Sequence, residues 1–320
     1  MELRFESLVA SPAVSGRRAI AIGNFDGLHL GHQKLLSVCA AVARATGATP
    51  SVLTFDPHPA AVLSPTGPPS LILNRRSQRR GLRDLGMEEL VRLTFDRALS
   101  AVAHEDFVER VLIEALRVRA VVVGEGFRFG AGRLGTVESL RRLGAGRFET
   151  VEVPVFADER GPVSSSRIRT ALSSGDLEDA TLGLGRLYEI EGLVVRGDQR
   201  GRAIGFPTAN IDLDGADALR PGVYAANGQM EGEPKPWRAA VNLGARPTFG
   251  GTTLTLEAHF PGLDRDLYGR SIRLAFLRRL RDERRFDSVE KLKAQLAEDV
   301  SQALSVGAAG SDPHSFGFGG

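Results

Sequence analysis

Apolar and polar residues follow two different rhythms along this chain. From Arg17 to about Gly183, short apolar runs at residues 19–22, 51–55, 90–95, 120–123 and 150–156 alternate with longer segments at 31–46, 74–85, 104–116 and 136–143. In those longer segments apolar residues recur near helical spacing, as at Phe107, Val111, Leu112 and Leu116. Strands alternating with helices predict a parallel sheet covered on both faces, with ligands at the carboxyl ends of the strands. Near Gly183-Leu184-Gly185 the rhythm changes to strands without helices between them, at 188–195, 222–226, 238–243, 254–260 and 271–276. This predicts a small antiparallel barrel closed by one helix. Asp287 is expected to cap that helix, Glu290 to complete a capping box, and Val289, Leu292, Leu296 and Val300 to line its packed face. The fold class is therefore α/β plus all-β: a parallel-sheet domain over 1–183, a barrel domain over 184–305 and a disordered Gly-rich tail over 306–320.

Composition narrows the class without naming the chemistry. The 320 residues, 42% of them hydrophobic, supply cores for about two domains. No apolar run reaches the roughly eighteen residues of a membrane span. The first residues carry Glu2, Arg4 and Glu6 instead of the apolar run of a signal peptide. A single cysteine, Cys39, excludes a disulfide framework within the chain, so a cytoplasmic location is expected. The net charge of +2 includes no concentrated basic face, which argues against a nucleic-acid partner. Only four of the 41 cations are lysines, a chain-wide compositional bias.

Chemistry concentrates first at residues 23–32, where Gly23, Asn24, Phe25, Asp26 and Gly27 lead through Leu28 into His29-Leu30-Gly31-His32. A strand, a glycine turn and a helix start aim unpaired backbone amides at one point, where the helix dipole favours an anion. Two imidazoles there can donate to phosphate oxygens as charge develops, which points to a nucleoside triphosphate. Zinc would want three or four ligands. Cys39 lies in the following helix, and no acidic residue stands at a metalloprotease spacing from either histidine.

Further candidates end other apolar runs. Phe55, Asp56 and His58 precede or flank prolines that force the backbone out of regular structure. Gly124-Glu125-Gly126-Phe127-Arg128-Phe129-Gly130 sets two aromatics around an arginine, able to sandwich a planar ring, to reach a phosphate or simply to anchor the loop. Ser164-Ser165-Ser166-Arg167-Ile168-Arg169 opens a helix whose first-turn arginines oppose the dipole unless an anion lies nearby. In the second half, Gly197, Gly201, Arg202 and Gly205 form a candidate phosphate cradle that is not a P-loop, followed by Pro207, Thr208 and Asn210. Thr208 and Asn210 offer neutral oxygens suited to Mg2+ carried by a nucleotide. Glu257 stands among apolar strand residues as a candidate general base. Arg281 and Glu283 are read as surface charge, with contact to a ligand as the alternative.

Taken together these motifs resemble, in order and over nearly the whole chain, the bacterial bifunctional riboflavin kinase/FMN adenylyltransferase (FAD synthetase) family. The resemblance implies a Rossmann-like nucleotidyltransferase domain that transfers AMP from ATP to FMN, and a riboflavin kinase barrel that makes FMN from riboflavin and ATP. It implies that His29 and His32 stabilise the ATP phosphates, with Ser165, Ser166 and Arg169 opposite them. It further implies that residues 197–205 cover ATP in the kinase site, that Thr208 and Asn210 hold Mg2+, and that Glu257 takes the proton of the riboflavin 5′-hydroxyl. One departure stands out: Glu125-Gly126 replaces a pair whose second member is usually Asp or Asn. The alternative it raises is a kinase with a weak or inactive adenylyltransferase domain. A monomer or weak homo-oligomer without membrane partners is expected.

Overall fold

The computed structural model describes residues 3–8, 16–197, 201, 204–233, 235–248 and 251–306. The tail expected at 306–320 lies, beyond Val306, outside the described residues, as does Arg202. In chain order the elements are β1 (Leu3–Ser7), β2 (Arg18–Ile22), α1 (Leu30–Thr46), β3 (Thr49–Asp56), α2 (Ala60–Leu63), α3 (Arg75–Asp84), β4 (Glu89–Thr94), α4 (Arg97–Ser100) and α5 (His104–Asp106). There follow β5 (Val118–Gly124), α6 (Val137–Gly144), β6 (Glu149–Val153), the short pair β7 (Ala157–Asp158) and β8 (Gly161–Pro162), α7 (Ser165–Ser174) and α8 (Leu177–Leu184). The last stretch holds β9 (Tyr188–Val195), β10 (Ala209–Ile211), β11 (Gly222–Met230), β12 (Trp237–Thr248), β13 (Gly251–His259), β14 (Ser271–Arg281) and a final helix α9 (Val289–Ser305). Among the described residues no helix is long and apolar enough to cross a membrane.

These elements form two compact units. The first gathers Met1–Pro69 and Gln78–Ser164; the second gathers Ser70–Ser77 and Ser165–Gly320. In the first, a six-stranded sheet runs β1-β4-β3-β2-β5-β6, parallel throughout except for β1. The strand order reverses between β2 and β5, which makes the carboxyl end of β2 the switch point where such sheets open a crevice. Its strands read as apolar runs because both faces are covered: Ile20, Leu53, Val91 and Val121 pack with Leu112, Leu116 and Leu140. Two expectations shift here. The helix read at 104–116 keeps one α turn and continues as a π-helix, Phe107–Ala115, closed by Leu116 N–H donating to Val111 O; this wider winding buries Phe107, Val108, Val111 and Leu112 together. The run at 150–156 stops at Val153, since Pro154 has no N–H to extend the ladder.

In the second unit, β10-β13-β12-β11-β14-β9 close into an antiparallel barrel around Tyr188, Tyr224 and Phe276. Three-residue β10, absent from the strands read in the sequence, completes the closure by pairing with both β13 and β9. Residues 70–77 join this unit: Leu71 bridges to Ala216, Tyr188 Oη donates to Ile72 O at 2.9 Å, and buried Asn74 donates from Nδ2 to Glu191 O at 2.6 Å and Leu213 O at 3.1 Å. The cap of α9 also differs from expectation. Ser288, not Asp287, is the N-cap, its Oγ accepting from Lys291 N–H, which puts Glu290 one position short of a capping box. Asp287 instead pairs with Lys291 Nζ at 3.2 Å. Glu290's carboxyl, held by its own backbone N–H and the Ser288 hydroxyl, lies below the usual range.

Candidate active sites

In the first unit the candidate loops leave neighbouring strands at their carboxyl ends. Residues 23–29 follow β2, residues 57–59 follow β3, and residues 125–130 follow β5. The turn after β2 is tightly specified: Phe25, Gly27 and Leu28 hold φ of 51°, 90° and 44°, and Phe25, Asp26 and Leu28 are buried. Left-handed backbone at two large residues survives only where packing fixes it. Gln33 Nε2 donates to Leu28 O at 2.9 Å, and Gln78 Nε2 donates to Asn24 O at 3.0 Å. His29 is the N-cap of α1: its Nδ1 accepts the His32 N–H at 3.3 Å. That contact fixes its neutral tautomer, with the proton on Nε2. The His29 and His32 rings stack at 3.7 Å between centroids. Gly31 permits this, because a Cβ there would press on the His29 ring at 3.2 Å. Asn24 reaches His58 with Nδ2 and Nε2 3.0 Å apart, and His58 Nδ1 accepts the Ala60 N–H. The structure thus joins Asn24, His29, His32 and His58 at one end of the sheet.

Other sequence candidates take plainer places. Phe55 packs edge-on against Phe95. Phe127 and Phe129 stack on each other at 5.7 Å, leaving no gap for a ring between them; Phe129 is the buried loop anchor, and Arg128 is exposed. Gly124 closes a turn to Phe127 N–H. Ser165 and Ser166 begin α7, within the second unit. The first-turn cations there find partners inside the protein: Arg167 pairs with Asp179 of α8 at 2.6 Å, and Arg169 Nε donates to Ser70 O at 2.8 Å. The cost of a cation near the helix start is thus offset at Arg167 by a side-chain carboxylate, without a ligand anion.

In the barrel, register builds the site. Asn210 lies opposite Glu257, Glu257 opposite Asn242, Asn242 opposite Val223, and Val223 opposite Arg281. Directly opposed residues share a face, so these five form one row across β10, β13, β12, β11 and β14. Their neighbours Ile211, Leu256, Val241 and Tyr224 fill the barrel interior, so the row faces outward. Glu257, Asn242, Val223 and Arg281 of this row line a cavity of about 570 Å3, which Val289, Leu292 and Leu296 of α9 also line. Arg281 is not surface charge: its guanidinium forms a bidentate pair with Asp299, at 2.7 and 2.6 Å, and Asp299 is 2% exposed. Glu283 is exposed and accepts the Ala245 N–H at 3.2 Å.

A second cavity of about 370 Å3 is lined by Pro207, Thr208, Asp264, Asp266 and Tyr268. Thr208 borders both cavities. A Cβ at Gly197 would overlap the Asn210 amide, and one at Gly201 would overlap Phe206 O. Gly205 takes a φ of 88°. The loop's glycines are therefore set by close approach and turn geometry. No group of three or more His, Cys, Asp or Glu side chains is placed to hold a metal among the described residues. The neutral oxygens of Thr208 and Asn210 beside one carboxylate suit a hard cation that arrives with phosphate ligands. Asp299 escaped the sequence reading, yet it carried a signal: it stands seven residues after Leu292 and three after Leu296, an acid on an apolar helix face.

Comparison with known proteins finds two families along the chain. The FAD synthetase family model matches residues 11–167, and the riboflavin kinase family model matches residues 184–306. The chain is 37% identical over 281 residues to the bifunctional riboflavin kinase/FMN adenylyltransferase of Escherichia coli K12, covering 88% of this chain and 90% of that protein. It is 33% identical over 293 residues to the Bacillus subtilis counterpart, covering 90% and 92%. A solved structure described as a macrolide-efflux protein from Streptococcus pneumoniae aligns with a TM-score of 0.79 at 32% identity, over 92% of this chain and 96% of that one. Its efflux description stays with that protein. Both enzymatic domains are present, so the matches favour two activities over a kinase with a disabled partner. The chain belongs to the bifunctional riboflavin kinase/FMN adenylyltransferase family.

Proposed function

We propose that the two successive reactions, riboflavin to FMN and FMN to FAD, are carried by the residues gathered at two separate sites. In the first unit, the amino terminus of α1 receives the ATP phosphates, and His29 and His32 donate to them. An FMN phosphate oxygen attacks the α-phosphorus and pyrophosphate departs. No covalent enzyme intermediate is needed, so positioning and preorganised donors supply the rate. His29 acts through its Nε2–H, because Nδ1 is engaged by the His32 N–H. Asn24 and His58 brace the turn from the neighbouring strand.

In the barrel, riboflavin occupies the larger cavity and the nucleotide the smaller. Glu257 removes the proton from the 5′-hydroxyl as its oxygen attacks the γ-phosphorus, and ADP leaves. Thr208 and Asn210 are the residues that would hold Mg2+; when bound, that ion neutralises charge on the transferring phosphoryl group. The reading is supported above all by Thr208, which borders both cavities while Asn210 and Glu257 face one another across β10 and β13. The test supplies riboflavin, ATP and Mg2+ in one tube and FMN, ATP and Mg2+ in another, and separates the flavins by chromatography. Glu257→Ala abolishes FMN formation in the first tube and spares FAD formation in the second; equal loss of both refutes separate sites. We further place the enzyme in the cytoplasm as a monomer or weak homo-oligomer, which sedimentation of the purified chain tests.

A further inference from the structure

We infer that His259 is a positioning residue of the kinase site, the latch that holds the glycine-rich segment so that Thr208 meets the nucleotide. The inference rests on the kinase reading above and concerns a side chain to which no role has been given. His259 follows Glu257 by two residues on β13 and so shares its face of the strand. Its Nδ1 lies 2.8 Å from Pro207 O. A carbonyl oxygen can only accept, so Nδ1 carries the proton and donates. The ring also meets Phe206 edge-on, with centroids 5.6 Å apart. Two contacts therefore fall on the two residues immediately before Thr208.

Their position explains why a side chain is needed. The β10–β13 ladder ends with the pair Ala209 and Ala258. Just beyond it, Pro207 has no N–H with which to continue the pairing. The His259 side chain takes over where the backbone ladder stops. On its other side the segment is turned by Phe206 N–H donating to Gly201 O at 2.9 Å, a turn internal to the loop that does not itself fix the loop to the barrel. Glu257 stands on the same strand two residues away, so one rigid element holds both the candidate base and the loop bearing Thr208. Small displacements of such a pair are costly, since a misplacement of about 1 Å can cost on the order of a hundredfold in rate.

The experiment compares His259→Leu, which removes the donor, with His259→Asn, whose amide nitrogen can stand near the place of Nδ1. Binding of ADP with Mg2+ is followed by calorimetry, alongside KM for ATP and for riboflavin, FMN adenylylation, and amide exchange at Phe206 and Thr208. His259→Leu is expected to weaken ADP binding and raise KM for ATP on the order of tenfold. KM for riboflavin should move less, adenylylation should stay at the parent rate, and exchange at Thr208 should accelerate. His259→Asn should restore most of the binding. If His259→Leu folds poorly, His259→Gln serves in its place, since its longer side chain carries the donor away from the Nδ1 position. Parent-like ADP binding in the donor-less or displaced-donor variant overturns the inference, as does His259→Asn proving equally impaired. Glu257→Ala separates this failure from that of the kinase reading: if it still phosphorylates riboflavin, the site itself is misassigned, whereas an inactive Glu257→Ala with parent-like His259→Leu removes only the latch.

Discussion

The two units place their chemistry by different means. In the parallel sheet, each candidate loop is the continuation of a strand, and the loops after β2, β3 and β5 converge because those strands are neighbours around the switch point. In the barrel the chemistry sits on strand faces. Asn210, Glu257, Asn242, Val223 and Arg281 come from five strands whose spatial order is not their chain order, and only register lines them up. A one-residue slip of any one of these strands would turn its member of the row inward.

That difference is open to test, beginning with the largest effect. Glu257→Ala should cost about 10²- to 10⁴-fold in riboflavin phosphorylation, as expected for a general base, with adenylylation of supplied FMN unchanged. His32→Ala should reverse the pattern, lowering adenylylation on the order of 10²- to 10³-fold while phosphorylation stays at the parent rate. Should either substitution depress both reactions equally in coupled and single-step assays, the contrast between independent sites collapses.

Stability effects sharpen the contrast further. Asp299→Ala leaves Arg281 without its carboxylate, and removing one member of a buried pair costs about 3–5 kcal/mol. Denaturant unfolding should show that loss in the barrel unit, and the double substitution Arg281→Met with Asp299→Leu should recover much of it. In the parallel-sheet unit, burial pushes the Cys39 thiol from 9.0 up to about 12. The folded state keeps the proton where the unfolded chain releases it, so this contribution is complete below pH 9.0 and is lost as pH rises from 9.0 toward about 12. Alkylation at pH 8 should spare Cys39 in the folded protein and modify it in denaturant; rapid reaction of the folded form would contradict its burial.

The smallest effect is expected at Gly126. Its φ is 72°, and among the described residues nothing lies within 4 Å of where a Cβ would stand. Asn and Asp enter that left-handed region more readily than other non-glycine residues, so backbone conformation alone accounts for a position that accepts Gly, Asn or Asp. Gly126→Asn should therefore leave the adenylylation rate near that of the parent and shift folding stability by less than about 0.5 kcal/mol. A large gain in rate would restore the reading of a missing polar contact.

The sequence disclosed what depends on short-range pattern. The turn at 23–32, the cap-ready start of α1 and the strand-then-helix alternation were all legible, because glycine placement and apolar periodicity act within a few residues. Features with distant partners were not. Arg167 looked like a cation awaiting a ligand until Asp179 was found beside it. Phe127 and Phe129 looked like two jaws but form one stack. β10 is too short to show a period, although it closes the barrel and carries Asn210.

By itself, then, the sequence determined the two rhythms, the order of the motifs and the residue types able to meet phosphate, hydroxyl and cation. Tertiary structure decided which of them meet. Periodicity records which face of an element is buried, but it carries no information about the element packed against that face. The Asn210-to-Arg281 row, the Arg281–Asp299 pair and the His259 contact to Pro207 each join residues at least 15 positions apart. Such contacts are fixed by strand register and helix docking, whose energies come from burial over the whole barrel and not from any local pattern.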